Sequence, residues 1–254
     1  MLTNLATFAE LAPSDLLVLV LVTFVAGLVR GFAGFALSAM MMAGAVVVLP
    51  PVQLIPICFF LEGTASLLMV RGGARDADMS VVWALVIGGA IGLPIGLAVT
   101  VYLPADASRL AALLLVGSLT ILQLFRISHP ALATRAGVYT TGLAAGFASG
   151  IASIGGMVVA LYVLATGSAA RQMRASLVMY LFVGMFTSLI YLLVFDVMNW
   201  LAFWRGLILA PVLAVGVLIG ARFFRPSAEG IYKRFCLMLL LGLTAIGLAR
   251  MMAG

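Results

Sequence analysis

Ten apolar stretches fill the chain, at residues 15–29, 31–49, 51–70, 79–103, 108–125, 136–152, 154–166, 176–195, 200–221 and 235–253, parted by short breaks rich in charge, proline or glycine. A helix needs about 20 apolar residues to cross a bilayer. The pattern therefore predicts an all-α polytopic membrane protein with eight to ten hydrophobic segments. Composition agrees: of 254 residues 65% are hydrophobic and 9% charged, against roughly a quarter charged in a soluble domain. An ordinary water-soluble enzyme is excluded, and no length remains for a separate soluble domain.

The net charge of +6 arises from 14 basic and 8 acidic residues. The basic residues are scattered singly and in pairs, which argues for loop orientation signals rather than nucleic-acid binding. Nothing basic precedes Arg30, so the first apolar stretch lacks the charged start of a cleaved signal peptide and is expected to be retained. With an outside N-terminus and alternating crossings, Arg30, Arg71, Arg75, Arg126, Arg135, Arg171, Arg174, Arg222, Arg225, Lys233 and Arg234 collect on the inside. Only Arg109, Arg205 and Arg250 fall outside, so both termini are expected in the periplasm. Thirteen arginines against one lysine suit a GC-rich bacterial genome, hence a multi-pass protein of a bacterial inner membrane.

Segment 154–166 has 13 residues. At 1.5 Å per residue it rises about 20 Å, too little for a hydrocarbon core of about 30 Å, and is read as half a helix. The same reading extends to 15–29 and 31–49, which meet at Arg30-Gly31 without a polar loop. The heptapeptides Gly27-Leu28-Val29-Arg30-Gly31-Phe32-Ala33 and Gly142-Leu143-Ala144-Ala145-Gly146-Phe147-Ala148 share five of seven positions at an offset of 115, and Ser38 falls on Ser153. Two transmembrane repeats are expected, 1–125 and 136–254, joined by a cytoplasmic loop at 126–135 into one membrane domain. Each would hold a Gly-rich broken-helix hairpin and about three full helices. An odd number of crossings between equivalent positions inverts the second copy, the pattern of secondary transporters with a site at the repeat interface.

Irregular backbone in a membrane is tolerated only against protein or a water-filled cavity. Half-helix N-termini at such breaks direct N–H groups and positive dipole ends at one point, which suits an anion. Gly34, Ser38, Ser149, Gly150, Ser153, Gly155 and Gly156 are the small residues that would let an oxyanion approach the backbone. The plain alternative is that they only permit tight helix packing.

The first-half stretch Gly27 to Ser38 and the second-half run Gly142 to Gly156 resemble the duplicated glycine-rich signature of the TauE/SafE sulfite exporter family. The loop Arg171-Gln172-Met173-Arg174-Ala175-Ser176 is similar to that family's loop, and the resemblance covers essentially the whole chain. It implies a bacterial inner-membrane permease for sulfite, organosulfonates or other sulfur-containing anions. Phe35-Ala36-Leu37-Ser38-Ala39-Met40 departs from the family's usual glycine run, which puts sulfite itself in question as the substrate.

Glu62 lies 11 residues after Pro51 and 9 before Arg71, close to mid-span. An acid there is costly unless paired or hydrated, so Glu62 is expected to carry a coupling proton or to pair with Arg30. Arg30, at the break, is the candidate for a forked grip on a sulfonate or sulfite, with a topological role as the alternative. Gln53 and Ser176 flank the hairpins and complete the candidate substrate-binding set, and Arg171 and Arg174 are candidates for an electropositive cytoplasmic mouth. His129 reads as a loop residue, Met40-Met41-Met42 as packing or lipid-facing groups, and Trp200 and Trp204 as an interfacial pair.

Catalysis is not expected. One histidine, placed before Ser149, offers no Ser–His dyad for an intramembrane protease and no HExxH zinc site, and Cys58 and Cys236 lie in apolar stretches. No cofactor or metal is implied. The reading is a secondary transporter of a small sulfur-containing anion by alternating access, with proton coupling through Glu62 as a candidate. A passive anion channel, a carrier of a non-sulfur organic anion and a scaffold subunit are the alternatives. Membrane lipid is the other expected partner, and a homo-oligomer is compatible with the chain.

Overall fold

The computed structural model describes residues 10–127, 130–166, 170–223 and 229–253. Within them lie ten α-helices: α1 (Pro13–Ala33), α2 (Leu37–Ala45), α3 (Pro51–Asp76), α4 (Met79–Tyr102), α5 (Ala105–Leu124), α6 (Arg135–Ala152), α7 (Gly155–Thr166), α8 (Ala170–Val194), α9 (Trp200–Phe223) and α10 (Glu229–Ala253). A 3-10 turn, Pro130–Ala133, precedes α6, and the described residues contain no strand. Seven of the helices are long and apolar enough to cross a membrane, and the chain is a polytopic helical membrane protein. His129 lies outside the described residues.

Local chemistry places the ends. Pro13 opens α1 where its missing N–H costs nothing. Asp78 caps α4 by accepting from the backbone N–H groups of Ser80 and Val81, and Thr134 caps α6 by accepting from Gly137. Asn199 does the same for α9 through the N–H of Ala202.

The two expected breaks exist, the second where the sequence placed it, after residue 152, and the first a few residues beyond Arg30-Gly31. α1 runs unbroken through Arg30 and Gly31 and ends at Gly34, whose φ of 79° is left-handed and whose N–H bonds the carbonyl of Arg30. Ala36 is also left-handed, so the first break is Gly34-Phe35-Ala36. The second is Ser153-Ile154, with Ser153 at φ 58°. Ser38 sits in the first turn of α2, after its break, whereas Ser153 is the break itself. Their sequence register is thus not a structural equivalence. α2 and α7, of 9 and 12 residues, rise about 14 and 18 Å, so each is a half-length helix.

Close packing is organised by glycine. Gly88, Gly92 and Gly96 of α4 face Gly142, Gly146 and Gly150 of α6, backbone against backbone. Gly27 and Gly31 of α1 face Gly216 and Gly220 of α9 likewise: a Cβ on Gly27 would stand 2.7 Å from the carbonyl of Leu213. Lipid chains are as apolar as leucine, so such seams gain from dispersion contact between close backbones rather than from escape from water. Helix packing follows a pattern: α1 packs on α9, α6 on α4, α3 on α8 and also on α9, and α5 on α10. Met40, Met41 and Met42 are buried in the centre, while Trp83, Ile87, Ile91 and Ile95 line one outward face of α4. Trp200 is 71% exposed and stacks on Phe203.

Side-chain bonds fix which helix ends lie together. Arg205, near the start of α9, donates to Gln53 at the start of α3 and to the carbonyl of Glu10 just before α1. Arg109, at the start of α5, donates to the carbonyl of Val46 just beyond α2. At the opposite end the N–H of Asp78, between α3 and α4, donates to Ser176 near the start of α8. α2 therefore returns toward the end from which α1 started.

Candidate functional site

Arg30 is fully buried, at 0% exposure, one turn before the first break. Its guanidinium faces the carboxylate of Glu62 on α3, with Nη2 3.3 Å from Oε2. It also donates to the carbonyl of Gly34 in the break and, at 3.4 Å, to Ser66 one turn further along α3. Ser38, in the first turn of α2, donates to the other oxygen of Glu62 at 2.9 Å. One charged pair thus ties α1, the break, α2 and α3 together. The pairing of Arg30 with Glu62 matches one of the two expectations for Glu62. Nε of Arg30 has no acceptor.

The opposite side of Glu62 faces a cavity of about 80 Å³ between α3, α4, α6 and α8, room for more than one water molecule. Glu62 shares its wall with Ser149 of α6, Ser153 of the second break, and Tyr180, Thr187 and Ser188 of α8. The hydroxyls of Tyr180 and Ser149 lie on the same wall. Much of the remaining wall is apolar, from side chains such as Ile55, Phe59, Leu93 and Met185, and Gly89, Gly146 and Gly184 add bare backbone; a Cβ on Gly184 would meet nothing within 4 Å. The hydroxyl of Ser149 also faces Gly155 at the start of α7, so closely that a side chain at 155 would collide with it. The second break borders the cavity directly through Ser153, whereas the first is linked to it only through Arg30, which bonds Gly34 and pairs with Glu62.

The other sequence candidates are not part of its wall. Gly34 ends α1 and offers its carbonyl to Arg30. Gly150 sits in the α4–α6 seam against the backbone of Leu97 and Leu93, and its carbonyl accepts from Thr100. Gly156 lies against Leu181. Gln53 is bonded to Arg205 at the outer rim of the cavity's helices, away from its wall. Ser176 borders a separate small pocket with Asp78, Tyr162 and Gln172. Arg171 and Arg174 belong to the first turns of α8, and their side chains lie outside the described residues.

One polar residue of the wall was not singled out by sequence. Tyr180 is one aromatic among many in an apolar helix, and no spacing marks it. Gln123, 2% exposed near the end of α5, donates to the carbonyl of Met157 in the first turn of α7 at 3.0 Å, which anchors the second half-helix. As an amide in an otherwise apolar segment it also stands out in the sequence as a candidate for a polar path. At the rim, the Ser80 hydroxyl donates to Asp78 and holds its carboxyl below the ordinary value, against the opposing effect of partial burial and with help from the Val81 and Ser80 N–H groups.

No curated protein and no solved structure matches the chain. A family model does: that of the sulfite exporter TauE/SafE, over residues 19–248. That match takes in both breaks, the Arg30–Glu62 pair and every residue of the cavity wall, and the chain belongs to the TauE/SafE sulfite exporter family.

Proposed function

We propose that the chain is a secondary transporter that moves a small sulfur-containing anion, such as sulfite or an organosulfonate, across a bacterial inner membrane by alternating access. The observation that carries this reading is the cavity bordered by Ser153 of the second helix break, with Glu62 in its wall paired to Arg30, which bonds the first break. Arg30, Ser38, Ser149 and Ser153, with the backbone at Gly155 and Gly156, form the anion-binding set. Gly34 and Gly150 shape it, while Gln53 and Ser176 act at the outer and inner rims.

Helix pairing supports an inverted repeat of α1–α5 and α6–α10. The first helix of each set packs on the fourth of the other, while third packs on third and fifth on fifth, as a two-fold relation requires. Rocking of one set against the other would then open the cavity to either side. Ten passes of alternating direction, counting the half-helices, leave Arg109, Arg205 and Arg250 at the end of the termini and the other loop cations opposite. That asymmetry supports periplasmic termini.

Thermal stabilisation of the purified protein by sulfite, sulfate, thiosulfate, taurine, sulfoacetate and a set of carboxylates tests the proposal, because a ligand that binds the folded state raises its apparent stability. A selective shift with one sulfur anion, abolished in Arg30→Ala, is expected. Stabilisation by carboxylates alone, or by none of these, would overturn the substrate class.

A further inference from the structure

The electrostatics of the cavity are opposite to those of a simple anion site. Among the described residues of its wall, Glu62 is the one charged side chain. Arg30 is fully buried and does not line the space; it is paired with that carboxylate and donates to Gly34 and Ser66. An entering anion meets a negative charge first, in surroundings where like charges repel far more than in water.

Two details show that the ion pair is not closed tightly. Its contact of 3.3 Å is longer than the 2.7–2.9 Å of a strong charge-assisted bond. Nε of Arg30 is buried with no acceptor at all, a donor held without a partner where such donors are normally satisfied. Ser38 suits either charge state of Glu62, since a hydroxyl both donates and accepts.

The groups around Glu62 are few. From α1 it faces Arg30, from α2 Ser38, from its own helix Cys58 and Ser66, and across the cavity Tyr180 and Ser149. On the other helices packed against α3 the described titratable groups lie toward the ends, as Tyr102 on α4, Asp106 and Arg109 on α5, Tyr139 on α6 and Arg205 on α9. Arg30 is therefore the cation that both Glu62 and an incoming anion can use.

We propose that the anion and one proton are bound together: Glu62 takes up a proton, Arg30 is released from it, and the anion takes the place of the carboxylate on the guanidinium. This rests on the anion-transport reading and names its coupling. The proton adds to Oε2 of Glu62, no covalent bond of the substrate changes, and a monovalent anion crosses with no net charge.

Thiosulfate, which does not titrate between pH 5.5 and 8, and sulfite are the probes, with stabilisation of the full-length protein measured across that range for wild type and Glu62→Gln. The wild-type apparent Kd for thiosulfate is expected to weaken by about tenfold per pH unit as pH rises, because binding takes up one proton. In Glu62→Gln it should be tight and independent of pH. A wild-type Kd that is flat with pH overturns the coupling and leaves the transport reading standing. No binding by either anion at any pH, in either form, overturns both, since a site blocked only by Glu62 must be open in the amide variant. A second measurement does not depend on the variant's folding: a pH-sensitive dye in weakly buffered detergent solution should record about one proton taken up per thiosulfate bound by wild type. No uptake on binding overturns the proposal.

Discussion

Removing one member of the Arg30–Glu62 pair should be far more harmful to folding than removing both. At 3.3 Å two unit charges attract by about 5 kcal/mol at an effective dielectric of about 20. Taking the two charges out of water opposes this by several kcal/mol each, so a buried pair is roughly neutral against apolar residues of similar volume, whereas stranding one partner costs about 3–5 kcal/mol. Arg30→Met and Glu62→Leu are each expected to lower stability by at least about 3 kcal/mol, and the double variant to lie within about 2 kcal/mol of wild type. The assay is unfolding in mixed micelles titrated with a denaturing detergent, followed by the fluorescence of Trp83, Trp200 and Trp204. The double variant should be stable and yet fail to bind anion, which separates the pair's structural part from its functional one. If the double variant loses the sum of the two single effects, the residues do not act as a pair and the reasoning fails.

Gly146→Ala would put a Cβ 2.7 Å from Cα of Gly89, backbone with no torsion to yield, at a cost of about 1–3 kcal/mol; Gly184→Ala, with nothing within 4 Å, should be neutral or stabilising in the same titration. Asp78→Ala removes the α4 cap and should cost about 1 kcal/mol at pH 7. Because the Asp78 carboxyl is held below its ordinary value, its contribution is complete above the unfolded value of about 4 and disappears as pH falls through the lower folded one; unfolding midpoints of wild type and variant should therefore converge on acidification. Tyr180→Phe leaves the packing of α8 and removes the hydroxyl beside Ser149; a several-fold rise in apparent KM for the transported anion, with little change in unfolding, is expected from proteoliposome uptake.

Much of the architecture was legible because the bilayer makes strict demands on length. The ten segments became ten helices, and 154–166, too short to cross, is the half-helix α7. Glu62 could be marked because a lone acid near mid-span has few explanations, and Arg30 because it sits where the first two apolar segments meet without a polar loop. The break itself was misplaced by several residues. Arg30-Gly31 reads as an interruption, but a charged side chain bonded inside the protein does not stop a helix, and the chain turns instead at Gly34 and Ala36, where φ is positive. Ala36 in that conformation carries no sequence signal, since only surrounding contacts hold an alanine there.

Composition and spacing determined that the chain lives in a membrane, that it is helical and that two places in it are short of a full crossing, because hydrocarbon leaves a backbone few alternatives. Which polar groups meet was decided only by the fold. Arg30 and Glu62 are 32 positions apart and Ser149 and Tyr180 are 31 apart, and nothing in either spacing says that Glu62, Ser149 and Tyr180 border one space or that Arg30 pairs with the first of them. Glycine seams between α1 and α9 and between α4 and α6 set the distance between helices, and that distance leaves a cavity at Glu62 rather than a packed core. A one-dimensional pattern records which face of a helix is apolar; it does not record which other helix that face will find.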